Sequence, residues 1–108
     1  MQTVLEAVAE PRRREILRLV RTREATAGAI AAHFPDVSRP SVSQHLRVLR
    51  AAGLLHERRD GTRRLYRARA EGLIEVREFF EQFWDDRLAA LKVAAEAEQR
   101  RQDDDRDG

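Results

Sequence analysis

Asp60-Gly61 stands between two short runs, one containing Leu54 and Leu55 and the other Leu65 and Tyr66, while the other apolar residues recur mostly at helical spacing. An Asp-Gly pair between such runs is a strong hairpin signal, because a two-residue turn requires positive φ that glycine adopts without a steric cost. The fold class expected is therefore mainly α with one small β-hairpin. The 108 residues, 42% of them hydrophobic, supply one core and leave no room for a second of ordinary size. There is no cysteine, so disulfides, thiolate metal sites and thiol redox chemistry are excluded together. No apolar run approaches the roughly 20 residues that span a bilayer, and no secretory pattern opens the chain, so a cytoplasmic protein without a membrane partner is expected.

Helical periodicity organises the rest. Val4, Leu5 and Val8 mark a first helix, and Pro11 opens a second at the position that tolerates its missing N–H. In that second helix Ile16, Leu17, Leu19 and Val20 form the inward stripe. Thr26 caps a short third helix with Ile30 and Phe34 facing inward, and Gly28, which weakens it, suggests a close helix crossing. Pro35-Asp36-Val37 breaks the chain, Ser38 caps a fourth helix, and Gly53 stops it. A long helix follows over about 71–100, and residues 101–108 read as an acidic disordered tail with nothing apolar to bury. Residues 1–100 are thus expected to form a single domain.

The charge is unevenly distributed. Residues 1–70 hold 15 of the 21 basic and 7 of the 19 acidic side chains, whereas residues 71–108 hold 6 basic and 12 acidic ones. A basic body of this kind suits a polyanion. On a helical wheel the fourth helix gathers Val42, Leu46 and Leu49 on one side and Pro40, Ser41, Gln44 and Arg47 opposite, so one face packs and the other reads. Gln44 can bond an adenine edge through both groups of its amide, and Ser41 and Pro40 permit close approach to bases. Ser43, Arg39 and Arg47 suit phosphates. The hairpin offers Arg58, Arg59, Arg63, Arg64 and Arg67 to flanking phosphates or a minor groove. His45 lies nearer the packed side and reads as a partly buried, hydrogen-bonded residue.

These residues carry a family resemblance. The run SRPSVSQHLRVLRAAGLL at 38–55, followed by RRDGTRRLYR at 58–67 and preceded by EPRRREILRLV at 10–20 and TAGAIAAHF at 26–34, resembles the arsenic-repressor (ArsR-type) family of bacterial winged-helix regulators. The resemblance covers about residues 3–95. It implies a winged helix-turn-helix fold of about five helices and a two-stranded wing, a recognition helix over 39–52, and a homodimer whose first and last helices pair. It also implies repression relieved by an effector. On that reading Val4, Leu5, Phe80, Trp84, Leu88 and Leu91 lie at the dimer interface, and the partner is double-stranded DNA holding an inverted repeat.

The last helix points to dimerisation on its own. About 28 residues at 1.5 Å each extend roughly 42 Å, longer than so small a domain can cover. Part of the cluster Phe79, Phe80, Phe83 and Trp84 is expected in the core, but Leu88 and Leu91 need another cover.

The chain departs from the metal-sensing members. Where they place cysteines, the third helix has Ala27 and Ala29, and the last helix has no histidine. No cofactor and no metal site is expected, and DNA release should not follow zinc, copper, cadmium or arsenite. The expectation is a response to some other effector, or to nothing beyond the protein's own concentration. An enzyme is excluded by the lack of a cysteine nucleophile, a phosphate loop and any clustered His, Ser and acid. The rival reading is a winged helix that docks a protein, against which the basic wing argues.

Overall fold

The computed structural model describes residues 1–107. In chain order these form α1 (Gln2–Ala9), α2 (Pro11–Leu19), β1 (Ala25–Thr26), α3 (Ala27–Ala32), α4 (Arg39–Ala51), β2 (Leu55–Asp60), β3 (Arg63–Ala68), a 3-10 turn (Ala70–Leu73) and α5 (Ile74–Asp107). Helix starts are set by side chains that accept the first free N–H groups. Thr26 Oγ1 accepts from Ala29 N at 3.0 Å, Ser38 Oγ from Ser41 N at 3.3 Å, and Glu10 Oε2 from Arg13 N at 3.1 Å. α1 ends without a glycine, and α2 closes it: Arg13 donates to the carbonyls of Ala7 and Glu6, and Arg14 to those of Val8 and Ala9. α4 ends in a Schellman arrangement, with Gly53 at φ 77°, Gly53 N bonded to Arg50 O at 3.0 Å and Leu54 N to Leu49 O at 2.9 Å.

Burial pushes the Glu10 carboxyl up, but the backbone N–H groups of Arg13 and Arg12, aided by the nearby Arg12 charge, outweigh it and hold the group below its ordinary value. A carboxyl lowered in the folded state stabilises above its unfolded value and loses that contribution as pH falls through the folded one. Glu10→Ala should therefore cost about 1 kcal/mol near neutral pH, and the difference should close in acid. Denaturant titrations of both proteins at the two pH values measure this. Equal stability near neutral pH would contradict it.

The core of the first part is continuous. Ile16, Val20, Ile30, Leu49 and Leu54 are fully buried, joined by Val42, Leu46, Leu55 and Tyr66. The α4 stripe of Val42, Leu46 and Leu49 therefore packs as its spacing requires. Three antiparallel strands run in the order β1-β3-β2, with Asp60 opposite Arg63, so Gly61 and Thr62 form the loop. Gly61, at φ 63°, takes the first loop position, where a II′ turn demands glycine.

Four expectations are corrected. The sheet has a third strand, because Ala25 and Thr26 pair with Tyr66 and Leu65. Gly28 marks no close crossing: a Cβ there would meet only Arg39 Nη1 at 3.6 Å and Thr26 Oγ1 at 3.9 Å. The last helix begins at Ile74, since residues 70–73 form a tighter 3-10 turn with Gly72 N bonded to Arg69 O. It continues through Asp107, so the expected tail is helical up to that residue, while Gly108 lies outside the described residues. No glycine or proline interrupts residues 74–107, and the pairs Glu98–Arg101 and Gln99–Asp103 support the final turns at helical spacing.

The chain divides into two units, Met1–Val76 and the residues from 77 onward. The first unit holds the winged fold. The second is helical over its described length, and it leaves Phe79, Phe80, Phe83 and Trp84 at 39, 51, 61 and 61% exposure within the single chain. The expectation that part of this aromatic cluster is core is therefore not met. The rings partly cover one another, Phe79 standing edge-on to Phe83 at 5.2 Å between centroids.

Candidate nucleic-acid interface

α4 presents to solvent each of its residues expected to read or hold DNA. Arg39, Pro40, Ser41, Ser43, Gln44 and Arg47 are all exposed, above the buried Val42, Leu46 and Leu49. Ser41, Gln44 and Arg47 follow one another at three-residue intervals and form a row along the open face. Ser38 Oγ donates to Ser41 Oγ at 3.0 Å. Arg47 donates to Gln44 Oε1 at 2.7 Å, which holds the amide on this exposed face. Such a row of short hydroxyls, an amide and a guanidinium matches the width and donor–acceptor pattern of a B-DNA major groove.

α4 is held in place by charged contacts as well as by its apolar stripe. Arg13 Nη1 lies 3.4 Å from His45 Nδ1. A guanidinium only donates, so the imidazole nitrogen accepts, and the half-buried His45 ties α4 to α2. At the other end Glu57, whose side chain is only 10% exposed, forms ion pairs with both Arg50 of α4 and Arg64 of β3, which ties the wing to the helix.

The wing arginines divide between two faces. Alternation along β2 and β3 puts Arg59 and Arg64 on the face with Leu55, Glu57 and Tyr66, toward α4, and Arg58 and Arg63 on the other. Arg58 is bound by both oxygens of Glu24, at 3.0 and 3.3 Å, and this hydrogen-bonded pairing raises its pKa. Arg63 pairs with Asp60 at 3.3 Å. Arg59 and Arg67 have no carboxylate within 4 Å among the described residues. Arg59 stands directly opposite Arg64, a like-charge pair that weakens a sheet unless an anion lies across it. The structure thus brings Arg59 and Arg64 to the α4 side and leaves Arg58 engaged elsewhere.

Of the residues expected at a dimer interface, Val4 packs against the core of its own unit and Leu5 is half-buried. On α5, Phe80, Trp84, Leu88 and Leu91 are 51, 61, 60 and 55% exposed. At 100° per residue these four fall within about 80° of arc, so they form one apolar stripe. Among the described residues no group of three or more His, Asp or Glu side chains is placed to hold a metal ion. Among the described residues no helix is long and apolar enough to cross a membrane.

A buried-stripe helix entered through a short helix and turn, followed by a hairpin with arginines on the same side, defines a winged helix-turn-helix protein. Comparison with known proteins agrees. The helix-turn-helix domain family matches residues 8–58. The transcriptional repressor SdpR of Bacillus subtilis (strain 168) is 43% identical over 61 residues, 56% of this chain and 67% of the relative. The HTH-type transcriptional regulator Rv2034 of Mycobacterium tuberculosis is 37% identical over 93 residues, 86% of each chain. Among solved structures, a possible transcriptional regulator for arsenical resistance superposes with a TM-score of 0.66 at 48% identity, over 80% of this chain and 92% of its own. An ArsR-like transcriptional regulator from Rhodococcus sp. RHA1 gives 0.71 at 33% identity, over 89 and 90%. The homodimeric winged helix-turn-helix DNA-binding domain of Mb0332 from Mycobacterium bovis gives 0.61 at 30% identity, over 79 and 78%. The chain belongs to the ArsR-type family of winged helix-turn-helix transcriptional regulators, and it is a DNA-binding member without the family's metal-sensing cysteines.

Proposed function

We propose that the chain is a homodimeric repressor whose two α4 helices read the half-sites of an inverted repeat in successive major grooves. The observation that carries this reading is the exposed row Ser41, Gln44 and Arg47 on a helix whose opposite face, Val42, Leu46 and Leu49, is buried in the core. Two further features support it. The α5 stripe is the kind of surface a second copy buries in a two-fold dimer, and the related Mb0332 domain is homodimeric. The relative SdpR is a repressor. Arg39, Ser43, Arg59 and Arg64 take phosphates in this account, and Gln44 reads a base. A regulator of this type acts in the cytoplasm on chromosomal DNA and performs no chemistry of its own.

Gln44→Ala should cost about 1 to 3 kcal/mol on the cognate site and relax base preference at one position in each half-site. Arg59→Ala should instead weaken cognate and random DNA alike and make the salt dependence shallower by about one unit of slope for each phosphate that is no longer neutralised. Binding of both variants to the chain's own upstream region and to a scrambled duplex, at several salt concentrations, separates the two roles. If Gln44→Ala lowers both affinities equally, Gln44 does not read sequence. If wild-type binding is weak, salt-labile and indifferent to sequence, the winged unit docks a protein instead.

A further inference from the structure

A cavity of about 300 Å³ opens beside the C-terminal end of α2. Leu17, Leu54, Ala68 and Leu73 supply its apolar lining, and Arg18, Arg21 and Arg69 stand in its wall. Among the described residues no carboxylate lines it. Arg18 is paired with Glu15 at 2.9 Å, whereas Arg21 and Arg69 have no carboxylate within 4 Å among the described residues. Arg69 instead donates to Gly53 O at 3.2 Å, half-buried at the end of α4.

An apolar hollow edged by guanidinium groups favours one kind of occupant. A neutral apolar molecule would cover the arginines without bonding them, and a fully polar anion would leave the leucines dry and unfilled. A single carboxylate on an apolar body satisfies both, because guanidinium and carboxylate match in a two-bond fork. Size narrows it further. A cavity of about 150 Å³ holds a benzene ring, so twice that volume suits roughly an eight-carbon chain or a two-ring aromatic.

The lining also touches α4. Leu54 lines the cavity and is the residue whose N–H closes the end of α4 on Leu49 O. Arg69 lines it and grips the carbonyl of Gly53. We propose that this cavity binds a small apolar monocarboxylate, and that the carboxylate draws Arg69 away from Gly53 and so loosens the end of α4. The binding step stands on the cavity alone. Its effect on DNA affinity rests on the reading of α4 given under Proposed function.

The test is calorimetric titration of the full chain with sodium octanoate, with octanol as the uncharged counterpart, alongside amide spectra of Gly53 and Leu54. Octanoate should saturate at one molecule per chain, bind at least about tenfold more tightly than octanol, and shift both amides. Arg21→Glu, which reverses an exposed charge at the wall, and Ala70→Phe, which fills the cavity from an exposed position, should each weaken binding by about tenfold or more without changing thermal stability. In saturating octanoate the affinity for the upstream duplex should fall by about fivefold or more. Absent saturation, equal octanol binding, or indifference to both variants overturns the site. Octanoate binding without amide shifts, or with operator affinity unchanged in a chain that binds its operator, overturns the link to α4. If octanoate binds and shifts the amides but no duplex is bound at all, the cavity proposal stands and the DNA reading of α4 is at fault.

Discussion

Leu88→Glu or Leu91→Glu is expected to turn the chain into a monomer and to reduce operator affinity by about 10²- to 10⁴-fold, because engagement of the second half-site then ceases to be intramolecular. Both leucines lie on the exposed stripe with Phe80 and Trp84, at 60 and 55% exposure in the single chain. A carboxylate in the middle of a two-fold apolar seam would face its own copy across the axis, with no water to solvate either. The unit Met1–Val76 has its own core, from Ile16 to Tyr66, so each variant should keep the winged fold. Sedimentation gives the mass, circular dichroism the fold, and gel shift the affinity. An unchanged dimer mass would show that the stripe is not the seam.

The second large effect is on stability. Gly72→Ala should lower the unfolding free energy by about 3 kcal/mol, because its Cβ would lie inside contact distance of the Gly53 carbonyl oxygen and 3.0 Å from Leu54 Cδ2. The obstacle is backbone, at the point where α4 ends, so relief requires moving either the 3-10 turn or the end of α4. Gly28→Ala is the control. Its Cβ meets nothing closer than 3.6 Å, and the substitution should be neutral or stabilise α3 by up to about 1 kcal/mol. Denaturant titrations compare the two. Wild-type stability in Gly72→Ala would mean that the close approach of the turn to α4 is not maintained in solution.

Local signals are legible in the sequence because they act over a few residues. Ser38 and Thr26 cap α4 and α3, Pro11 opens α2, Gly53 ends α4, and Gly61 turns the hairpin, each by chemistry confined to its own neighbourhood. The open and packed faces of α4 follow from helical spacing alone, and the exposed row of Ser41, Gln44 and Arg47 follows with them. What stays hidden depends on partners distant in sequence. β1 has two residues and no alternation to announce it, and it exists only because β3 offers an edge 40 residues on. Arg58 looks as available as Arg59 until β2 is paired and Glu24 is brought beside it. Arg13 and Arg14 read as surface charge, yet they close α1, and Arg13 also steadies His45. The full length of α5 escapes a reading by composition, because an acidic, apolar-poor segment resembles a disordered tail unless its internal pairs are weighed.

Whether two copies of α4 read one two-fold site is tested most directly by selecting bound duplexes from a random pool with the full chain and sequencing them. The predicted result is an enriched inverted repeat with half-site centres about one helical turn, or a multiple of it, apart. A pool that stays unenriched, or that converges on a single site without two-fold character, would contradict it.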